Sequence, residues 1–360
     1  MLKFHPAVFA VGNSYQIIVT TVNEAFVKIK IDNREFIDDS NGILKSQSRT
    51  HKFSIPQSLL DFAKTYTVIE KPIIRRLPYF SLTKNDVIYN YSFKPAPLEN
   101  PVCYHIADAH NDIEGPVKAA KSFGEFDFLL LNGDIPNDSG DIENFDTIFD
   151  ICSQLTLGSL PIVNARGNHD LRGIFAEKLA DFTPGLNNKS YYSWKLGSIW
   201  GLTLDCGEDK DDSNKEYGNT VCCHLFRLSE TEYIKSIVQN RSAEYNAPDV
   251  KHRIILVHNP FTFKHAPPFN IEEDIYREWA DILKNDIKPD IMICGHTHKF
   301  SVNYPGDDSD YLGHPCPVLV ASEKEKNGRF AGAGIEFRDD KEIAVTFTDN
   351  INGIIDQTII

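Results

Sequence analysis

Five short segments carry side chains that can hold cations and move protons: Asp108-Ala-His110, Gly133-Asp134, Gly167-Asn168-His169-Asp170, His258, and Gly295-His296-Thr297-His298. Alternate residues of an extended segment project to the same side. Asp108 with His110, and His296 with His298, can therefore each grip one cation. Gly133 lets the backbone turn tightly, and the two carboxylate oxygens of Asp134 can bridge two metals. Asn168 offers a neutral amide oxygen, His169 can donate a proton, and Asp170 can hold its ring. Each segment also has a plainer reading. These are a solvated loop acid and histidine, an ordinary strand-to-loop turn, a helix cap at Asp170, a structural histidine at 258 and a polar loop at 295–298.

Their order and placement carry the argument. Each segment follows a short apolar, strand-like run, at 102–107, 128–131, 161–165, 254–257 and 291–294. Ligands of open α/β sheets bind beyond the carboxyl ends of the strands. Such a crevice would collect three Asp, one Asn and five His from these segments. Between the strands the pattern predicts helices near 113–123, 142–155, 171–182, 229–239 and 271–284, a hairpin at 191–204, and strands again over 318–349. This alternation implies an α/β fold of two sheets packed face to face and covered by helices. Residues 1–95 read differently, with strands at 14–21, 25–31 and 86–93 and one helix at 57–64. Antiparallel strands must bury one face, which predicts a small all-β sandwich domain. Three prolines within residues 94–101 make 96–101 a stiff linker and place the second domain at 102–360.

The series Asp-x-His, Gly-Asp, Gly-Asn-His-Asp, His, Gly-His-x-His resembles that of the calcineurin-like metallophosphoesterases, from Asp108 to His298 and more loosely to about residue 349. The resemblance implies a four-layered α-β-β-α sandwich. It implies that Asp108, His110 and His298 hold one metal, that Asn168, His258 and His296 hold a second, and that Asp134 bridges them. His169 would stand near the leaving group, oriented by Asp170. Nitrogen and oxygen donors suit two divalent ions of manganese, iron or zinc. A hydroxide shared between them would attack phosphorus, since bound metal lowers the pKa of water to about 7. A β-sandwich ahead of the catalytic domain resembles the purple acid phosphatases. Here, however, Asp134 is followed by Ile135-Pro136-Asn137 without that subgroup's tyrosine, and His110 stands where the subgroup has no histidine. The arginine pair of the protein serine/threonine phosphatases is not evident either. Arg166 stands alone, as a substrate contact or a surface salt bridge.

Composition bounds the partners. The chain has 360 residues and a net charge of -14, which disfavours duplex nucleic acid and anionic membranes. A small phosphate-ester substrate remains open, because bound cations reverse the local field. No run of about 18 apolar residues predicts a membrane span, and the first residues do not read as a secretory signal. Seven scattered cysteines without a CxxC pair suggest reduced thiols and a cytoplasmic protein. The sequons at Asn90, Asn188 and Asn240 then read as chance matches. Residues 206–225, with His224, and 259–270, with Phe261, Phe263 and His265, should overhang the crevice. Both histidines read as solvated loop residues, and the aromatic rings either stack on a nucleobase or aryl leaving group or pack the loop. The expected function is hydrolysis of a phosphate mono- or diester. A phosphoprotein phosphatase and a non-catalytic metal-binding scaffold are the alternatives. The sequence leaves the oligomeric state and the role of the N-terminal strands open.

Overall fold

The apolar runs that precede the motifs become parallel strands buried on both faces, as continuous hydrophobic sequence requires. In the computed structural model, which describes residues 1–360, the chain begins with β1 (Ala7–Val11), β2 (Ser14–Thr20), β3 (Ala25–Ile31), β4 (Arg34–Ile37), β5 (Thr50–Pro56), α1 (Gln57–Ala63), β6 (Thr65–Arg76), β7 (Ser81–Thr83) and β8 (Val87–Ser92). The next part holds β9 (Val102–Ile106), α2 (Glu114–Phe123), β10 (Phe128–Asn132), α3 (Asp146–Thr156), β11 (Pro161–Ala165), β12 (Tyr192–Leu196) and β13 (Ile199–Leu204). Then come α4 (Cys223–Gln239), β14 (His252–Val257), α5 (Glu273–Ile282), β15 (Ile291–Cys294), β16 (Ser301–Asn303) and β17 (Val318–Val320). The chain ends with β18 (Glu323–Lys324), β19 (Phe330–Phe337), β20 (Ile343–Asp349) and β21 (Gly353–Ile359).

Two sheets carry the motifs. The larger runs β21-β20-β19-β9-β10-β11-β1-β2-β5, with β9, β10, β11 and β1 mutually parallel. The second runs β12-β13-β14-β15-β17-β16, with β13, β14, β15 and β17 parallel. Leu130 and Val163 of the first sheet share one core with Trp194, Leu256 and Ile293 of the second. Helices cover the outer faces. Val117 and Ala120 of α2 and Ile148 and Cys152 of α3 pack with Leu129 and Leu131. Ile234 of α4 and Trp279 of α5 pack with Leu202, Val257 and Cys294.

The N-terminal strands divide between two sheets. A third sheet contains β4-β3-β6-β7, with β8 on β6. The strands β1, β2 and β5 instead extend the large sheet, because Val8 and Phe9 of β1 pair in parallel with Pro161 and Ile162 of β11. Ile17, Phe53, Val27 and Val68 belong to the same core as Leu130 and Ile293. The packing is thus continuous across the proline-rich segment at 94–101. That segment is tied down where Gly197 turns the β12–β13 hairpin. A β-carbon there would lie 1.9 Å from the Pro97 carbonyl oxygen, so only glycine fits.

Two helices differ from the sequence pattern. Residues 171–182 form no α-helix, only short 3-10 turns at His169–Leu171 and Ala176–Asp181. Gly173 sits at φ 133°, far outside the helical region, where an added β-carbon would lie 2.2 Å from the Ser139 backbone. Helix α4 begins at Cys223, earlier than the predicted 229, because both carboxylate oxygens of Asp212 accept from the first helical N–H groups, Cys223 at 2.9 Å and His224 at 3.1 Å.

Candidate metal centre

Each expected ligand stands just beyond a parallel strand: Asp108 after β9, Asp134 after β10, Asn168 after β11, His258 after β14, His296 and His298 after β15. The two sheets present these ends to one another, and the fold brings the side chains together. Asp108 Oδ1 lies 3.3 Å from His298 Nε2, which lies 3.2 Å from His110 Nε2. Asp134 Oδ2 lies 3.2 Å from His258 Nε2 and 4.0 Å from His110 Nε2. His296 Nδ1 lies 3.0 Å from Asn168 Oδ1. Three interlocking groups have donor atoms within 4.8 Å of one another: Asp108/His110/His298, His110/Asp134/His169 and Asp134/His258/His296. Imidazole with carboxylate and amide oxygen is donor chemistry that divalent transition ions accept.

The surroundings orient these donors. His258 Nδ1 donates to the Asn132 carbonyl at 2.7 Å, which fixes the tautomer and aims the Nε2 lone pair into the site. That buried Nε2 has no hydrogen-bond partner in the protein. Asp108 accepts from the His296 N–H and from Ser322 Oγ at 2.8 Å. Asp134 Oδ1 accepts from the His169 N–H at 2.9 Å. Five of the ligands sit at positive φ: Asp108 at 57°, His110 at 47°, Asp134 at 53°, His296 at 68° and His298 at 56°. For residues with a β-carbon this conformation costs of order 1–3 kcal/mol each and clusters at functional sites. Here the turn after each strand points the side chain back over the sheet end.

Charge is polarised within the cluster. Burial alone would raise the carboxyls of Asp108 and Asp134, but the facing imidazoles win and hold both below their ordinary range. Burial would lower His258, yet Asp134 and Asp108 lift it to about 10. Burial brings His110 and His296 down to about 4. Neutral imidazoles beside ionised carboxylates are the protonation states a cation requires. A proton on His258 and a metal ion are alternatives for one lone pair, so cation binding there releases a proton.

His169 and Asp170 depart from expectation. Asp170 does not orient the His169 ring. Its Oδ2 accepts from the Gly167 N–H at 2.7 Å, its other oxygen is buried without a partner, and burial together with Asp134 raises its carboxyl to about 7. Asp170 is drawn inward because it closes the tight turn at Gly167. The ring of His169 is held instead by the Asn137 carbonyl, 2.9 Å from Nδ1, and by Arg172 Nη1, 3.0 Å from Nε2. A guanidinium can only donate, so Nε2 accepts and Nδ1 carries the proton. Arg172 is itself fixed by Glu208, at 2.8–3.1 Å, and by Asp209 at 3.1 Å. Asp209 also accepts from Asn168 Nδ2 at 3.3 Å, which leaves the Asn168 oxygen facing His296.

Arg166 is not beside these donors. It pairs with buried Asp205 at 2.7 Å, lies 5.3 Å from the Phe226 ring, and lines a different cleft with Gln16 and Lys52. A carboxylate as buried as Asp205 requires that counter-charge. His224 is in the first turn of α4, 3.0 Å from Glu272, whereas His265 lines a cleft that includes His296. Sequence reasoning missed Asn132, Arg172, Asp209 and Ser322. The strand-end rule reaches the last of these, since the apolar run of β17 leads to Ser322, and the end of β13 leads toward Asp209. Nothing local marks Arg172. All seven cysteines are unpaired, and no helix is long and apolar enough to cross a membrane.

Comparison with known proteins agrees with this geometry. The profile of the calcineurin-like phosphoesterase family matches residues 102–300. No curated protein matches the sequence. Among solved structures, purple acid phosphatase PPD1 from yellow lupin (Lupinus luteus) seeds is similar in fold, with a TM-score of 0.60 at 14% identity over 99% of this chain and 73% of that one. The protein TT1561 of Thermus thermophilus aligns with a TM-score of 0.43 at 16% identity over 70% of this chain and 99% of that one. With more than half of its length matched and the motif residues gathered at the strand ends, the chain belongs to the calcineurin-like phosphoesterase family.

Proposed function

We propose that this protein hydrolyses a phosphate mono- or diester at a pair of divalent cations. The observation that carries the reading is the set of three interlocking donor groups at the carboxyl ends of the two sheets. In this reading Asp108, His110 and His298 hold one cation, Asn168, His258 and His296 the other, and Asp134 reaches both. Such ions supply an activated water at neutral pH and neutralise charge on phosphoryl oxygens. Manganese, iron and zinc all suit the donors.

The remaining residues position and shield. The His258 N–H bond to Asn132 and the Ser322 bond to Asp108 keep ligand lone pairs aimed inward. Arg172 and the Asn137 carbonyl set the orientation and tautomer of His169 and engage both its ring nitrogens, so a role in protonating the departing oxygen would require Nε2 to exchange Arg172 for the substrate. We assign Arg172 as a positioning residue and not as a phosphate clamp, because Glu208 and Asp209 already occupy its guanidinium.

The test is turnover of p-nitrophenyl phosphate against its bis-ester by manganese-loaded protein. The reading expects hydrolysis of at least one, abolished by chelation. Metal-loaded protein that cleaves no ester on a broad panel would favour a binding scaffold instead, and activity confined to phosphopeptides would favour a phosphoprotein phosphatase.

A further inference from the structure

The turn that carries Asp108 and His110 is held in an unfavourable backbone conformation. Three of the four residues at 108–111 are left-handed: Asp108 at φ 57°, His110 at 47° and Asn111 at 66°. Such a turn persists only where its surroundings over-determine it. Its N–H groups are secured by the second motif, since Asp108, His110 and Asn111 donate to the Gly133, Asp134 and Ile135 carbonyls at 3.0–3.1 Å. Its carbonyls need partners as well. Ala109 accepts from the Asp112 N–H at 2.9 Å. One side chain also reaches these carbonyls: Lys324 Nζ donates to Ala109 and lies 3.4 Å from the His110 oxygen.

Both sheets place Lys324. Just ahead of it, the Ala321 N–H donates at 3.0 Å to the Cys294 carbonyl, which ends β15 in the second sheet. Ser322 then meets Asp108, and Lys324 itself pairs with Phe330 of β19 in the large sheet. The side chain is half-buried, forms no salt bridge, and has its pKa lowered by burial. An ammonium withdrawn from water is unfavourable unless it is hydrogen-bonded, so the two carbonyls are what holds it there. Charge alone gives no reason for this placement, because a lysine beside a cation site repels the cation.

We infer that Lys324 is a positioning residue for the cation site: by fastening the 108–111 turn, it sets Asp108 and His110 relative to His298. The inference rests on the reading of two bound cations, and it concerns the first of them alone.

Isothermal titration of chelator-stripped full-length protein with manganese(II) reads this without turnover. Wild type should bind two ions. Lys324→Met keeps the length of the side chain but removes its donors. It should weaken one ion by about 10–100-fold, as loss of a group that orients a ligand does, with an unchanged circular dichroism spectrum. Lys324→Arg retains a cationic donor and should recover much of that affinity. Two backgrounds locate the effect, because His298→Ala removes a ligand of the first cation and His258→Ala one of the second. Added to His258→Ala, Lys324→Met should weaken the remaining ion by the same factor; added to His298→Ala, it should change nothing. Unchanged manganese affinity in Lys324→Met overturns the inference. Tighter binding does so too, since a lysine acting only through its charge gives that sign, and an equal loss in both backgrounds would mark general loosening instead. Wild-type protein that binds fewer than two ions sinks the two-cation reading and this inference together, whereas two ions indifferent to Lys324 sink the inference alone.

Discussion

The placement of Asp134 depends on Gly167, which follows the neighbouring strand β11 and has no room for a side chain. A β-carbon built on Gly167 would lie 2.2 Å from Asp134 Oδ1 and 2.5 Å from the Asp134 backbone nitrogen, where ordinary contact begins at 3.4 Å. Roughly 1 Å must be recovered, and the backbone part of the conflict cannot be relieved by a rotamer change. Overpacking of this kind costs about 1–3 kcal/mol. With about 2.1 cal/mol/K of unfolding entropy per residue, a chain of this length loses about 1–4 °C in Tm for that penalty. Gly167→Ala should therefore fold. Its cation site should not survive equally well, because ligand distances tolerate only about 0.2 Å. The assay is elemental analysis of purified protein beside circular dichroism and thermal melting. The expected result is a native spectrum, a Tm lowered by a few degrees, and clearly less bound metal than wild type. Gly12→Ala is the control: at φ 56° with nothing within 4 Å, it carries only the backbone cost of about 1 kcal/mol and should keep its metal. Wild-type metal content in Gly167→Ala would refute the claim that Asp134 is fixed by this contact.

Asp134→Asn should abolish turnover and weaken metal binding, measured by activity and elemental analysis on one sample, since the carboxylate shared by the His110/Asp134/His169 and Asp134/His258/His296 groups is neutralised. Arg172→Gln should leave metal content near wild type while shifting the pH profile of kcat, because the guanidinium that fixes the His169 tautomer is gone; an unchanged profile would remove Arg172 from the positioning role. At Asp349, burial raises the carboxyl, but hydrogen bonds from Arg329 and the Asn352 and Ile351 N–H groups outweigh it and bring the pKa from 3.8 to about 2. A depressed carboxyl stabilises the fold above its unfolded pKa and loses that contribution as pH falls through the folded one. The Tm deficit of Arg329→Gln should accordingly be largest near neutrality and shrink as pH drops from about 4 toward 2. Deleting residues 1–95 should give insoluble protein, because β11 would lose its partner β1; a soluble, metal-binding 96–360 fragment would refute the structural dependence on the N-terminal strands.

The donor set was legible in the sequence because strand ends obey a local rule. An apolar run followed by Gly, Asp or His at a turn can be read without knowing its neighbours, and Asp108, Asp134, Asn168, His258, His296 and His298 all follow that form. What failed depended on contacts distant in the chain. Arg172 meets Glu208 across 36 residues, while Asp170 is the local exception, taking the Gly167 N–H three residues away instead of its neighbour's ring. Arg166 could not be assigned from sequence, since its partner Asp205 follows a different strand. The helix expected at 171–182 failed for the same reason, because backbone groups of Arg172 and Phe175 bond to Ser139 instead of to their own helix. Strand identity in residues 1–95 was readable from composition, whereas the parallel pairing of β1 with β11 has no local signature.

The seam beneath the donors shows why the two sheets must act together. Asn132 ends β10 in the large sheet, and its side-chain amide nitrogen lies 3.3 Å from the Val257 carbonyl and 3.1 Å from the Ile293 carbonyl, at the ends of β14 and β15 in the second sheet. The same nitrogen lies 3.0 Å from His105 Nε2, while His105 Nδ1 faces the Ala321 carbonyl at 3.3 Å. Burial lowers the His105 pKa to about 4, so the ring is neutral, donates from Nδ1 and accepts at Nε2. The Asn132 backbone carbonyl then receives the His258 N–H. One asparagine thereby spans the sheet interface and sets the tautomer of a candidate ligand. Two of the three donor groups draw on both sheets: Asp108 and His110 need His298, and Asp134 needs His258 and His296, whereas His110/Asp134/His169 comes from the large sheet alone. Cation affinity is consequently coupled to the apolar packing between the sheets, and a cavity at Leu130 or Ile293 would loosen the site without touching a ligand.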